Sequence, residues 1–514
     1  MAIGASAAGA LALPLLIGAF GLASAAFARA DAPAGNAPIA TKRPTWADAV
    51  ADRSATAEPK PSPNGFTTTG SSGSGLPARP SILFNRWQED WSVLADPATP
   101  QEPFDQLKYI RLFEDDPKTY LSFGAGVRER FEANDAPNFG AGGARPEDYL
   151  ISRIDVDADL RVASQVQAFV QLQSDFAPWK SVIHPVDQDR LDLEQAFVTV
   201  SEPVDDGTLR LRIGRQQIGF DLQRFVSVRD GPNIRQSYDA VWAEYERDRW
   251  RLTGFFSLPV QDRDLRAFDD YSSTRLTYGG VHATRKLFGS SELSVTLSRF
   301  TQDGAKFLAA QGDERRDIVD VHLSGSSRGY DWDVEGMNQI GRIGSKPIEA
   351  WTVGSLGGYT FSRRAWSPRF GLQIDAASGD GDPAGHTFGT FNPLFPNGYY
   401  VTLAGYTGYV NFIHLKPSVT LQPATGVKVA LAAAGQWRET TADAVYTQPD
   451  LPVSGTAGQP GSYTGTYGQM RIDWAATPHV ALALEAVHFA VADVIRRAGG
   501  HDGDYLGLQT QYRW

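Results

Sequence analysis

From residue 119 to the C-terminus, apolar and polar residues alternate with a period of two, broken at intervals by turns. Successive side chains of a strand point to opposite faces, so this period predicts strands with one apolar and one polar face. The clearest case is YLGLQTQYRW at the C-terminus. Leu506, Leu508, Tyr512 and Trp514 share one parity, and Gln509, Gln511 and Arg513 share the other. An apolar face, a polar face and a terminal aromatic are the pattern of a strand that closes a transmembrane barrel. For any single segment, the edge of a soluble sheet is the competing reading.

The alternation predicts about eighteen strands, at 119–132, 149–162, 165–176, 191–201, 207–216, 239–247, 249–258, 273–286, 291–301, 316–326, 329–340, 349–362, 366–377, 409–421, 426–439, 463–475, 478–490 and 503–514. These are about the lengths a tilted membrane strand needs. Their connections tend to alternate in length. Val162 and Gln165, Arg247 and Arg249, Ser326 and Gly329, and Trp474 and Pro478 are nearly adjacent, whereas 217–238, 378–408 and 440–462 are long. Bacterial outer-membrane barrels have short periplasmic turns and long outer loops, and an even strand number puts both termini in the periplasm. A soluble sandwich has no reason to sort loop length by parity. The expected fold is therefore all-β: a closed antiparallel transmembrane barrel over 119–514, with short periplasmic turns and long extracellular loops.

The polar face carries charge. Arg128 and Arg130 alternate with Phe123, Ala125 and Val127; Arg153, Asp155, Asp157, Asp159 and Arg161 alternate with Ile154, Val156, Ala158 and Leu160. Arg210 and Arg212 oppose Leu209, Leu211 and Ile213. Arg251 opposes Trp250 and Leu252, and Arg471 and Asp473 oppose Ile472 and Trp474. A face of this kind calls for a water-filled interior rather than a packed sandwich.

Residues 2–28 are nearly all Ala, Leu, Gly, Ile, Phe and Ser and end in Ala28-Arg29-Ala30. This reads as a secretory signal over 1–30, although no basic residue precedes the apolar run, so an upstream start or a buried helix is the alternative. Residues 31–80 are rich in Pro, Gly and Ser and read as a disordered linker, and 81–118 as a periplasmic N-terminal segment with short helical turns. The chain has no cysteine, which excludes a disulfide framework and thiol chemistry. Its formal net charge of −11 excludes a nucleic acid as the expected partner. The eight histidines are scattered, and no GxSxG elbow is present, so no catalytic arrangement and no cofactor are expected.

Three stretches carry a resemblance. They are NRWQEDWSVLADPATPQEPFDQLKYIRLFEDDPKTYLSFGAGVRERFE from Asn85, LRLRIGRQQIGFDLQRFVSVRDGPNIRQSYDAVWAEY from Leu209, and SGDGDPAGHTFGTFNPLFPNGYY from Ser378, with NFIHLKPSV following at Asn411. From about residue 85 onward the chain resembles the alginate-export family of outer-membrane β-barrels. The resemblance implies eighteen strands and an arginine-lined constriction that passes a polyuronate outward. It also implies inward-folded loops or a periplasmic segment that gate the pore; the loop 378–408 and the segment 81–118 are the candidates here.

Polyuronates carry a carboxylate on every sugar, and the planar guanidinium binds carboxylates bidentately. Rings of Arg or Lys are how pores select anions. The candidate pore-lining residues are Arg128, Arg130, Arg153, Arg161, Arg210, Arg212, Arg215 and Arg251, with Arg471 and Arg513 on strands that become their neighbours on closure. Asp155, Asp157, Asp159 and Asp473 are the candidate acidic partners, and salt-bridge filling of the barrel is the alternative role for every one of these arginines. Arg215 has the parity of lipid-facing Ile213 and reaches the lumen only if Gly214 forms a bulge. Asp375, Asp380 and Asp382, in a run rich in Asp and Gly, offer oxygen ligands to calcium, with a solvated turn as the simpler reading.

The function expected is an outer-membrane channel that passes an anionic polysaccharide such as alginate, or its oligomers, without ATP. The alternatives are an uptake porin for small anions or sugars and a barrel-embedded hydrolase. Outer-membrane lipid, an anionic polysaccharide or sugar acid, and periplasmic secretion machinery are the expected partners.

Overall fold

The structure is a computed structural model that describes residues 79–514. The expected signal 1–30 and all but the last two residues of the expected linker 31–80 lie outside the described residues. The strands are β1 (Ile110–Phe113), β2 (Asp116–Asn134), β3 (Glu147–Val162), β4 (Val166–Phe176), β5 (Asp189–Val204), β6 (Gly207–Gln217), β7 (Ser237–Arg247), β8 (Trp250–Pro259), β9 (Leu276–Lys286), β10 (Glu292–Lys306), β11 (Gln311–Ser327), β12 (Tyr330–Ile343), β13 (Lys346–Thr360), β14 (Arg369–Ala377), β15 (Phe412–Ala424), β16 (Val427–Trp437), β17 (Tyr446–Thr447), β18 (Leu451–Pro452), β19 (Tyr463–Ala475), β20 (Val480–Val491) and β21 (Gly503–Arg513). Two short helices, α1 (Asp105–Lys108) and α2 (Asp493–Arg497), accompany them.

Eighteen of these strands, β2–β16 and β19–β21, form the wall, each antiparallel to its neighbours in sequence. β21 closes the cylinder on β2, in a register running from Gly126↔Arg513 to Asn134↔Tyr505. Every expected strand is present, with ends displaced by at most five residues. β1 is a short addition that pairs with the start of β2, and β17 and β18 form a separate two-stranded hairpin within a long loop. Two connections at the long-loop end are short: Phe307–Ala310 between β10 and β11, and the turn between Ile343 and Lys346. There the strands themselves lengthen, β11 reaching 17 residues, so the wall rises where the loops shrink.

The alternation sorts the faces as physics requires. Phe123, Val127, Ile154, Val156, Val170, Leu211, Val281, Val319 and Leu508 lie exposed on the outer face. On the same strands Ser122, Arg128, Arg130, Arg153, Asp155 and Gln509 are buried within. Exposed Trp250, Phe288, Tyr330, Phe361, Trp366, Trp474 and Tyr512 gather at the short-turn end, forming the aromatic girdle of a membrane interface.

The interior departs from the expectation of a water-filled lumen. Segments 218–236 and 378–411 fold inward and pack Phe220, Phe225, Phe391, Phe395, Tyr400 and Tyr409 against the inward-facing Tyr238, Phe255, Tyr278, Phe300, Ile318 and Met337 of β7–β12. One sector of the lumen is therefore a dry core. The strand period could not show it, because the apolar partners lie in loops that have no period.

Candidate functional site in the barrel interior

Three inserts divide the interior. The first is the N-terminal segment, which enters from the short-turn end. Arg86 donates to the Trp514 carbonyl at 2.7 Å, pairs with Glu89 at 2.8 Å and lies 3.9 Å from Asp157. Gly124 makes room for it: a Cβ there would lie 2.6 Å from Arg86 Nη2. Arg161 donates to the carbonyls of Trp87 at 2.8 Å and Glu89 at 2.7 Å, and Gln167 to that of Trp87 at 2.7 Å. Lys108 of α1 lies between the rings of Trp91 and Trp514, at 5.1 and 4.3 Å. Burial, then the like charge of Arg86, lowers its ammonium to about 8.

The second insert is 218–236, which hangs on two of the expected arginines. Arg128 donates to the carbonyls of Asp230 at 2.6 Å and Pro232 at 3.0 Å. Arg153 reaches Asp230 Oδ1 at 2.5 Å and the Asn233 carbonyl at 2.7 Å. Burial acts to raise the Asp230 carboxyl, but Arg235, Arg153 and Arg128 outweigh it and hold it well below the usual carboxylate range. Further along, Arg224 pairs with Glu335 and with Asp333 at 3.1 Å.

The third insert is 378–411. It joins the second through backbone bonds between Ser227 and Phe395 at 3.0 Å and between Phe395 and Phe225 at 2.9 Å. Tyr399 donates to the Gly231 carbonyl at 3.2 Å, and a Cβ on Gly231 would lie 2.1 Å from that ring. Lys416 of β15 anchors the insert at the carbonyls of Tyr400, 3.2 Å away, and Val401, 2.9 Å away.

The expected arginines thus divide by task. Arg128 and Arg153 hold an inward loop. Arg130 pairs with Glu132 and Glu485, both at 2.5 Å, and Arg471 with Asp473 at 2.7 Å and with Glu485. Arg513 lies inward, 5.8 Å from the Phe84 ring. Asp155 and Asp157 face the lumen beside Gly126 and Gly124, and Asp159 pairs with Arg161 at 3.0 Å.

Arg161, Arg210, Arg212 and Arg251 converge. With Lys118, Trp87, Trp242, Asp90 and Glu244 they line a cavity of about 560 Å³ between the N-terminal segment, strands β3–β8 and the base of the second insert. Arg210 pairs with Glu244 at 2.8 Å and Glu246 at 3.1 Å. Arg212 is different. It bonds Thr199 at 3.1 Å and lies 3.8 Å above the Trp87 ring, and among the described residues no carboxylate stands at pairing distance from it.

Two expectations are corrected. Arg215 does not enter the lumen: the β5–β6 register runs unbroken past Gly214, so Arg215 keeps the parity of Ile213 and pairs with Asp239 at 3.0 Å and Asp192 at 3.6 Å. The bulge lies instead on β5, opposite Gln171 and Leu172. Asp375, Asp380 and Asp382 do not converge on one point. Asp375 is committed to His414 at 3.0 Å and Tyr400 at 2.8 Å inside the wall, while Asp380 and Asp382 lie in the loop beyond. Among the described residues the carboxylate groups close enough to share an ion are Asp189, Asp192, Asp270 and Asp221, Asp320, Glu335.

Sequence reasoning missed Arg224, Asp230, Asn233 and Arg235, although all four lie in the stretch Leu209–Tyr245 that carries the resemblance. Trp87 and Arg86 lie likewise in the stretch from Asn85. The parity of strands gives no weight to loop residues, and shared motif position was the only signal available for them.

No curated protein matches the chain by sequence. Among solved structures the chain is similar to Pseudomonas aeruginosa OpdK with vanillate (TM-score 0.51, 10% identity, 77% of this chain and 98% of that one). It is also similar to Pseudomonas aeruginosa OccK2 (OpdF) in complex with glucuronate (TM-score 0.50, 11% identity, 76% and 97%) and to Acinetobacter baumannii OccAB4 (TM-score 0.50, 10% identity, 76% and 97%). At these identities the likeness concerns the fold. Residues 119–509, nearly the whole barrel, match the family described as Alginate export. The chain belongs to the alginate-export family and is a channel of the bacterial outer membrane.

Proposed function

We propose that the channel passes an anionic, uronate-type sugar chain or its oligomers, and that the basic cavity beside Trp87 is where the sugar acids bind in transit. The observation that carries this reading is Arg212, a half-buried guanidinium lining the cavity with no carboxylate at pairing distance among the described residues. A carboxylate arriving from solvent supplies the partner that the wall withholds. Arg161, Arg210 and Arg251 surround it as a field of partly compensated charge, which suits conduction, because transit demands weak and repeated binding. Trp87 and Trp242 offer flat apolar surfaces to the faces of sugar rings. Glucuronate in the OccK2 complex is a ligand of the same charge class in a barrel of the same fold.

A second reading, uptake of small anions, is favoured by one observation. The cavity, at about 560 Å³ and closed on one side by the N-terminal segment, has the size of a small-molecule site. Planar-bilayer recording separates the two. Under the leading reading the current is anion-selective and blocked by uronate oligomers at lower concentration than by the monomer. Arg212→Ala weakens that block at least about tenfold, as expected for a lost charge-assisted pair worth about 1.5–3 kcal/mol. Equal block by monomer and oligomer favours the small-anion porin, and cation selectivity untouched by Arg212→Ala defeats both.

A further inference from the structure

We propose that the outer end of the barrel holds a hard divalent cation, calcium by its chemistry, between Asp189, Asp192 and Asp270. Asp189 and Asp192 lie at the start of β5 and Asp270 in the loop between β8 and β9. Their carboxylate oxygens lie within 4.8 Å of one another. Two oxygens bound to one calcium at about 2.4 Å can stand up to about 4.8 Å apart, so a single ion reaches all three.

The second observation is the state of Asp189. It is only 3% exposed, and its Oδ1 is buried without a hydrogen-bond partner among the described residues. Leaving a buried carboxylate oxygen unsatisfied is costly, so native structures rarely do it without an unseen partner. Asp189 lines a cavity of about 10 Å³, room for a single water-sized particle. Six carboxylates line that cavity: Asp175, Asp189, Asp192, Glu194, Asp262 and Asp270. The one guanidinium lining it, Arg235, is already paired with Asp230 at 2.9 Å. Arg153 stands 3.7 Å from Asp175 and Arg215 3.6 Å from Asp192, so the acids outnumber the cations at hand.

All the available ligands are oxygen, which suits calcium and disfavours zinc. Magnesium keeps several of its waters, and a cavity of one-particle size has no room for them. The other carboxylate trio differs, since Asp221 stands 3.2 Å from His322 and Glu335 is taken by Arg224. A bound ion would join three parts of the outer end: β5, the loop after β8, and the second insert, whose Ile234 and Arg235 border the same cavity. It would thereby hold the insert that hangs on Arg128 and Arg153 from its far side.

The test is calcium titration calorimetry on the folded, chelator-treated protein in detergent, paired with thermal denaturation. The expected result is one saturable calcium site per chain with Kd between about 10⁻⁴ and 10⁻³ M, the range of extracellular sites. Calcium raises Tm. Asp189→Asn and Asp270→Asn each weaken binding at least about tenfold, and Asp382→Asn leaves it unchanged. Asp270→Asn, in a loop, keeps the test open if Asp189→Asn fails to fold. No saturable binding up to about 10 mM, or binding unchanged in both variants, overturns the proposal. So does a rise in Tm of Asp189→Asn in calcium-free buffer without calcium binding by the parent, which would mean that a proton neutralises the site.

Discussion

Asp230 gathers three of the interior's guanidinium groups on one carboxylate. One carboxylate faces Arg153, Arg235 and, at 3.9 Å, Arg128. Removing one partner from a buried charge cluster leaves the others uncompensated, at a cost of about 3–5 kcal/mol. Asp230→Asn is therefore expected to release segment 218–236 while leaving the wall intact. Hydrogen exchange mass spectrometry should show faster exchange in 218–236 and unchanged exchange in β2 and β3. Because the folded carboxyl is depressed, its contribution is present above the unfolded pKa and is lost only as pH falls toward the folded one. The docking of this segment is thus expected to stay level from pH 5 to pH 8, and exchange rates corrected for intrinsic pH dependence will check it. Arg215 supplies the contrast. It keeps the lipid-facing parity, pairs there with Asp239 at 3.0 Å and stands 3.6 Å from Asp192, so Arg215→Ala should leave ion selectivity unchanged in a reversal-potential measurement that Arg212→Ala shifts.

At the scale of the element, the N-terminal segment works as an insert whose contacts are mostly to carbonyls and rings. Trp87 touches Arg212 at 3.8 Å and meets the Phe197 ring edge-on at 5.9 Å. The double variant Arg86→Ala, Trp87→Ala removes both the charged anchor and the aromatic wedge. Single-channel conductance should rise severalfold, and an unchanged value would show that this segment does not narrow the path. Lys108 adds a pH dependence. Its ammonium is lowered when docked, so the undocked state binds more protons wherever the two differ. Docking therefore strengthens as pH rises from about 8 to about 10.5, and crosslinking of a cysteine introduced near Trp91 to one near Trp514 should become more complete over that interval.

Strands and inserts differ in how far they could be read in advance. β19 was legible to the residue at 463–475, because Met470, Ile472 and Trp474 alternate with Arg471 and Asp473 without interruption. The alternation begins five residues after the start of β11, since Gln311 to Arg315 are polar on both parities. That polar start stands above the membrane, where no lipid imposes an apolar face. The inserts were legible only as length. Nothing in 218–236 distinguishes a loop in solvent from one folded inward, apart from Phe220, Phe225 and Val226, which an exposed loop would leave wet.

For the whole molecule, the net charge of −11 and a basic cavity are reconciled by position. Arg161, Arg210, Arg212 and Arg251 gather near the short-turn end, while the acids around Asp189, Asp262 and Asp270 collect at the outer end. A path with a basic inner end and an acidic outer end is asymmetric in charge. Selectivity from such fixed charges is screened as the Debye length falls from about 10 Å at 0.1 M salt to about 3 Å at 1 M. The anion selectivity that the proposed function requires is expected to decline across that range in reversal-potential measurements, and constancy would mean that a steric filter dominates.

What the amino-acid order settled alone is the wall: the number of strands, their parity, the direction of their charged faces and the end at which they turn. These follow from a two-residue period and from a bilayer that tolerates no unpaired backbone and no open sheet edge, so local pattern and environment leave one solution. What tertiary structure decided is the content of the cylinder. Whether an arginine holds a loop, neutralises an acid or lies over a ring with no acid at pairing distance depends on residues far from it in the chain. Arg128 and Asp230, or Arg212 and Trp87, meet only after closure has brought them together, and no periodicity encodes a contact of that kind.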